Sequence, residues 1–237
     1  MENRLSIQTE KDHLLAAVSG RVYDMHGAFP SSILVAGEEI LAAPVRLRAE
    51  FDGVEQPWDE PHIVKVGQSA QETLYTVQQS AGNAFLNARV KIEQDGLIWV
   101  DMMMVPFGRW ITYRRGEDLT VATLTSLKLE IPLKKEVAEL YHYWPILASG
   151  IDQTAQINNS GALTEKGLSL PVKPVLWLGR EEAGFAFYME SPKNTQPADK
   201  DKVYSVRTEG DTVYITIDNY PLCKDNACIN TAHTVKF

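Results

Sequence analysis

The chain has 237 residues, of which 44% are hydrophobic and 23% charged, with a formal net charge of -8 and an isoelectric point near 5.2. This is the composition of a folding globular protein, and its acidic balance argues against a phosphate backbone as partner, which needs clustered Lys and Arg. The apolar runs fall short of the ~18 to 20 residues that cross a bilayer, and the opening MENRLSIQTEKDHLL is too polar for the core of a signal peptide.

In chain order, the first chemistry-bearing stretch is Tyr23-Asp24-Met25-His26, where an acid and an imidazole two residues apart share one face of a strand or lie together in a loop. Ser19-Gly20 precedes it without a motif context. Val45 to Phe51 (VRLRAEF) alternates apolar and polar residues and ends on the turn signal Asp52-Gly53, and Trp58 follows in a polar loop. Leu86 to Ile92 (LNARVKI) alternates in the same way. After it, Asp95-Gly96 is the strongest hairpin signal in the chain, because Asp-Gly tolerates the positive φ angles of a type I′ turn.

Leu97 to Pro106 (LIWVDMMMVP) is apolar at consecutive positions and reads as a central strand covered on both faces. Its three methionines are core residues on that reading and soft-metal ligands on the sharper one. Trp110 and Tyr113 lie beyond it. Leu127 to Ile131 (LKLEI) alternates again, and KKEVAELYHYW from Lys134 is the best candidate for a short helix. Ile146 to Pro171, rich in Gly and Asn, reads as the longest irregular connection. Gly210-Asp211 is a turn ahead of Val213 to Ile217 (VYITI). Cys223 and Cys228 flank a polar loop and form either a disulfide, which points to an oxidising compartment, or two free thiols.

Many half-buried strands joined by tight turns, with little helix, predict an all-β chain: a large antiparallel β-sandwich of two sheets spanning residues 1–237 as one domain. No GxSxG, HExxH or HxH is found, and the five histidines are scattered, so no cofactor, metal or nucleophile motif is expected. Glycoside hydrolysis needs two carboxyl groups facing across a cleft. In VLWLGREEAGFAFYMES the segment Arg180 to Gly184 reads as a hairpin turn, which leaves Glu181 and Glu182 as solvated neighbours at its tip, with Glu190 ending the next strand. Trp58, Trp110, Tyr113, Tyr141, Tyr143 and Trp144 are candidates to stack on sugar rings, or else core aromatics.

That same stretch resembles the W-L-G-N-E-x-x-G-L-x-W-F-x-E-S signature of the domain preceding the catalytic barrel in glycoside hydrolase family 123. Trp177, Leu178, Gly179, Glu181, Gly184, Glu190 and Ser191 match, while Arg180 stands for the Asn and Phe187-Tyr188 for the Trp-Phe pair. GRVYDMHGAFPSSILVAGEEILAAPVRL, DGLIWVDMMMVP and LKLEIPLKKEVAELYHYW are similar to the other segments of that domain, in order; the usual E-S-D-x-G-W continuation is missing. The resemblance implies a non-catalytic β-sandwich packed against the barrel of an N-acetylgalactosaminidase-like enzyme. Trp177 would then pack in the sandwich, Gly179 and Gly184 would form the turn, and Glu181 and Glu190 would orient loops or face the barrel. It implies a secreted or periplasmic protein, the alternative being cytoplasmic. A stand-alone carbohydrate-binding protein is the second functional expectation, with Trp58, Trp110, Glu181 and Glu190 as glycan or interdomain contacts.

Overall fold

The computed structural model describes residues 5–10, 13–82, 84–106, 124–144, 159–189, 199–220 and 233–236. Within them the chain forms β1 (Ser6–Glu10), β2 (His13–Val18), β3 (Arg21–His26), β4 (Phe29–Val35), β5 (Glu38–Glu39), β6 (Arg46–Phe51), β7 (Val54–Gln56), β8 (His62–Gln68), β9 (Glu72–Ala81) and β10 (Ala84–Glu93). It continues with β11 (Ile98–Pro106), β12 (Leu124–Lys134), β13 (Leu140–Tyr143), β14 (Ser160–Ala162), β15 (Leu168–Leu170), β16 (Val175–Gly179), β17 (Gly184–Tyr188), β18 (Tyr204–Glu209), β19 (Thr212–Tyr220) and β20 (His233–Lys236). There is no helix among the described residues; KKEVAELYHYW, expected as a helix, is the end of β12, a turn and β13.

The all-β expectation holds, but the two-sheet sandwich does not. The strands make four small antiparallel sheets arranged as a propeller-like ring of four blades. The first sheet runs β1-β2-β3-β4-β5, the second β20-β11-β10-β9-β8, the third β15-β18-β19-β12-β6-β7 and the fourth β14-β13-β16-β17. Alternation along a strand shows that one of its faces is buried and says nothing about how many sheets share the core. What divides this chain is its tight turns. Ser19-Gly20, Ala36-Gly37 and Asp52-Gly53 all take positive φ, and each returns the chain onto the strand just made, so the first sheet is built wholly of sequential neighbours, whereas the third gathers β6, β12 and β19 from distant parts of the chain. A sandwich needs strands that cross between layers.

Asp95-Gly96 closes the expected hairpin but not through a type I′ turn, because only Gly96 takes positive φ, +89°: the Gly96 amide donates to the Glu93 carbonyl at 2.9 Å, the Asp95 carboxylate accepts from the Leu97 amide at 2.9 Å, and β10 pairs with β11 from Ile92–Ile98 to Ala84–Pro106. β11 is an interior strand, but only one of its faces is buried. Val100, Met102 and Met104 point into the core, whereas Met103 is half-exposed, a correction to the expectation of cover on both sides.

One contiguous apolar cluster joins all four sheets. Polar contacts fix their seams. Between the first and second sheets, the Tyr23 hydroxyl donates to the Gly96 carbonyl at 3.0 Å and the buried Tyr75 hydroxyl donates to the Gly27 carbonyl at 3.3 Å. The first and third sheets meet through backbone bonds, Ala42 to Pro132 at 2.9 Å and Lys134 to Ile40 at 3.0 Å. Arg180 ties the fourth sheet to the first through Glu38 at 2.6 Å.

Candidate functional site: a cleft beside Trp58 and an aromatic sheet face

A cleft of about 560 Å³ opens where the first, second and third sheets meet, a size within the usual range of small-ligand sites. Trp58 stands on its wall, in the connection from β7 to β8, and is half-buried against the core. Its indole N–H donates to the Leu47 carbonyl at 2.6 Å, so the ring is held in one orientation and contributes an apolar surface to the cleft. This bears on Trp58 as both expected glycan contact and expected core residue: it packs on the core and lines the cleft at once.

A chain of titratable groups reaches the cleft at His13, His26 and Glu60. β2 and β3 pair His13 with His26 across the hairpin, and the two-residue turn Ser19-Gly20 between the paired Val18 and Arg21 sets that register. Asp24 Oδ1 meets His13 Nδ1 at 2.9 Å, His13 Nε2 meets His26 Nδ1 at 3.2 Å, and His26 Nε2 lies 3.8 Å from Glu60. A carboxylate can only accept, so a neutral His13 carries its proton on Nδ1 and presents a lone pair on Nε2. His26 therefore donates from Nδ1 and, when neutral, turns an acceptor nitrogen into the cleft beside Glu60. The Asp24-His26 pair of the sequence is bridged through His13, which spacing along one strand could not reveal. Had Ser19-Gly20 been read as a two-residue turn, the His13–His26 pairing would have followed.

The third sheet supplies the remaining wall. Glu130 is 2% exposed and sits among three guanidinium groups, those of Arg46 at 2.6 Å, Arg207 at 3.2 Å and Arg48 at 3.5 Å. Burial alone would raise its pKa, but the hydrogen bonds from Arg46 and Arg207 and the charges of Arg46 and Arg48 outweigh it and hold the carboxyl below the usual range. Arg48 also grips Glu55, whose carboxyl is lowered chiefly by that hydrogen bond. The cluster rigidifies the cleft floor at Arg46 and Arg48.

Three acids border the cleft. Glu55 is locked to Arg48, Asp59 accepts from the Ser80 amide at 2.6 Å, and Glu60 is 87% exposed. A general acid for glycoside cleavage needs a raised pKa in a dry environment, and Glu55 is shifted the other way. A second cavity of about 720 Å³, lined by Lys134, Lys135, Glu136, Glu139, Glu165 and Asp211, has no aromatic wall. Among the described residues no group of three His, Cys, Asp or Glu side chains is placed to hold a metal ion.

The stretch WLGREEAGFAFYMES forms the β16–β17 hairpin, closed by the Arg180 amide on the Ala183 carbonyl at 2.8 Å, with Glu181 and Glu182 exposed at its tip. Two expectations need correction. Trp177 does not pack inward; it lies on the outer face of the fourth sheet, half-exposed, while Leu176, Leu178 and Phe187 face the core. Gly179 and Gly184 are not turn residues of positive φ but paired strand residues under the indole. A Cβ at Gly179 would lie 2.2 Å from the Trp177 ring and one at Gly184 2.6 Å from it, so their missing side chains make room for the ring to lie flat. Tyr141 and Tyr143 pack against the core, whereas Trp144 is 58% exposed. Trp110, Tyr113, Glu190, Cys223 and Cys228 lie outside the described residues.

No protein-family model and no curated protein matches this chain.

Proposed function

We propose that this chain is a non-catalytic carbohydrate-binding module whose ligand site is the cleft beside Trp58. One observation carries the reading: a held, half-buried indole forms part of a cleft that is also lined by donors and acceptors, the guanidinium groups of Arg46 and Arg48, His26 and Glu60. The C–H face of a pyranose stacks on a flat apolar ring while such polar groups take its hydroxyls. Against catalysis stands the engagement of Glu55 and Asp59 in structural contacts. An accessory role beside the catalytic barrel of a secreted or periplasmic family 123 glycoside hydrolase is supported only by the motif residues from Trp177 to Ser191 and the segments that accompany them.

The test is a calorimetric titration with a panel of soluble oligosaccharides, N-acetylhexosamine-containing ones included. Binding should weaken by at least tenfold in Trp58→Ala and measurably in Glu60→Gln, with circular dichroism confirming that each variant is folded. Hydrolysis of aryl N-acetylgalactosaminides by the chain, abolished in Glu55→Gln or Glu60→Gln, would overturn the non-catalytic reading.

A further inference from the structure

The outer face of the fourth sheet carries large aromatic side chains that the core does not use. Register places them in rows across the strands. Trp144 donates its amide to Val175 at 3.0 Å, and Val175 pairs with Tyr188, so Trp144, Val175 and Tyr188 form one row. In the next row His142 pairs with Trp177 and Trp177 with Ala186; in the third, Leu140 pairs with Gly179 and Gly179 with Gly184. Trp144 is 58% exposed, Tyr188 47% and Leu140 38%, and the Trp177 ring lies over the two glycines of the third row.

Glycine inside a strand lowers its stability by roughly 0.5–1 kcal/mol relative to alanine, and two sit here side by side. What they allow is an indole pressed against the sheet with its outer face toward solvent. The core is already closed on the other side by Tyr141, Leu176, Leu178 and Phe187, so packing does not require this arrangement.

We infer that this face is a second carbohydrate site, a flat platform for an extended, uncharged, β-linked polysaccharide chain; the inference rests on the proposed carbohydrate-binding role and adds to it the ligand class. Two features select that occupant. Trp144 and Tyr188 stand two strands apart, about 10 Å by the spacing of paired strands, which is the reach of two sugar units in an extended chain, with Val175 between them and the Trp177 ring to one side, over the two glycines. In a chain of net charge -8 the three rows carry no charged side chain, and His142 among them has its Nδ1 held by the Ser160 hydroxyl at 2.6 Å, which leaves Nε2, unengaged among the described residues, to meet a sugar hydroxyl.

The test is retention of the full chain on insoluble chitin and cellulose, with Trp144→Ala and Tyr188→Ala as the principal variants, since both side chains are exposed and their loss spares the core. Each should reduce retention about tenfold and leave the titration of soluble oligosaccharide at the Trp58 cleft unchanged; Trp58→Ala should do the reverse, so failure of one site is read separately from failure of the other. Trp177→Phe, which keeps a smaller ring over the glycines, should give an intermediate loss. The inference is overturned if the wild-type chain is retained on neither polysaccharide, if Trp144→Ala and Tyr188→Ala bind as wild type, or if size-exclusion chromatography shows a dimer that Tyr188→Ala converts to monomer, which would assign the face to a second copy of the chain.

Discussion

Replacing Gly184 by alanine tests the arrangement of the β16–β17 hairpin at a single atom. The three heavy atoms nearest an added Cβ all belong to the Trp177 indole, at 2.6, 2.7 and 2.8 Å. Ordinary contact requires the ring to lift by most of an ångström, and overpacking of this kind costs about 1–3 kcal/mol. Alanine regains roughly 0.5–1 kcal/mol in a strand relative to glycine, which leaves a net loss of about 1 kcal/mol. At Gly179 the cost is larger, about 2 kcal/mol by the same reasoning, because the Ala183 carbonyl also lies 2.8 Å from the new atom and belongs to the turn backbone. The assay is urea unfolding of Gly184→Ala in the wild-type and Trp177→Ala backgrounds. With the ring gone, Gly184→Ala should become neutral or stabilising, giving a coupling of roughly 1–2 kcal/mol between the two positions. Equal destabilisation in both backgrounds would refute the account of the two glycines.

Glu130→Ala leaves three guanidinium groups without their shared anion. Removing one partner of a fully buried pair costs about 3–5 kcal/mol; here the arginines reach water, so about 2 kcal/mol is expected, seen as a lower urea midpoint. Because the folded Glu130 carboxyl is held low, its contribution is complete above the ordinary glutamate pKa of about 4.3 and fades as pH falls through the folded value; thermal melts of Glu130→Gln should therefore lose less stability on acidification than wild type. Burial raises the hydroxyl pKa of both Tyr75 and Tyr204. Their contribution is thus present below the unfolded tyrosine pKa of about 10 and is lost above it, so Tyr75→Phe should flatten the alkaline limb of the stability profile. Arg180→Ala breaks the link to Glu38 and should raise amide hydrogen exchange in β5 and β16 before it changes global stability.

The strands and tight turns were legible because they depend on neighbours in sequence. Asp52-Gly53 and Asp95-Gly96 are turns, VRLRAEF and LNARVKI are strands, and Glu181-Glu182 is an exposed hairpin tip. The number of sheets was not, because a strand with one buried face serves a sandwich and a ring of blades equally. KKEVAELYHYW misled for a related reason: its charged and apolar residues suit a helix, yet β12 and β13 find partners in β19 and β16 far along the chain. Trp58 was singled out for lying in a polar loop, and it does border the cleft. The Asp24–His13–His26 chain and the indole lying on Gly179 and Gly184 depend on cross-strand register, which single-strand spacing does not encode.

The indole N–H resonances of the tryptophans, assigned through single Trp→Phe variants, report on the cleft at the residue that defines it. On titration with soluble N-acetylhexosamine oligosaccharides the Trp58 resonance should shift in proportion to saturation, because its N–H, fixed on the Leu47 carbonyl, belongs to the ring whose face would take the sugar. A Trp58 resonance that stays fixed throughout the panel while the chain remains folded would contradict the assignment of this protein as a carbohydrate binder at that cleft.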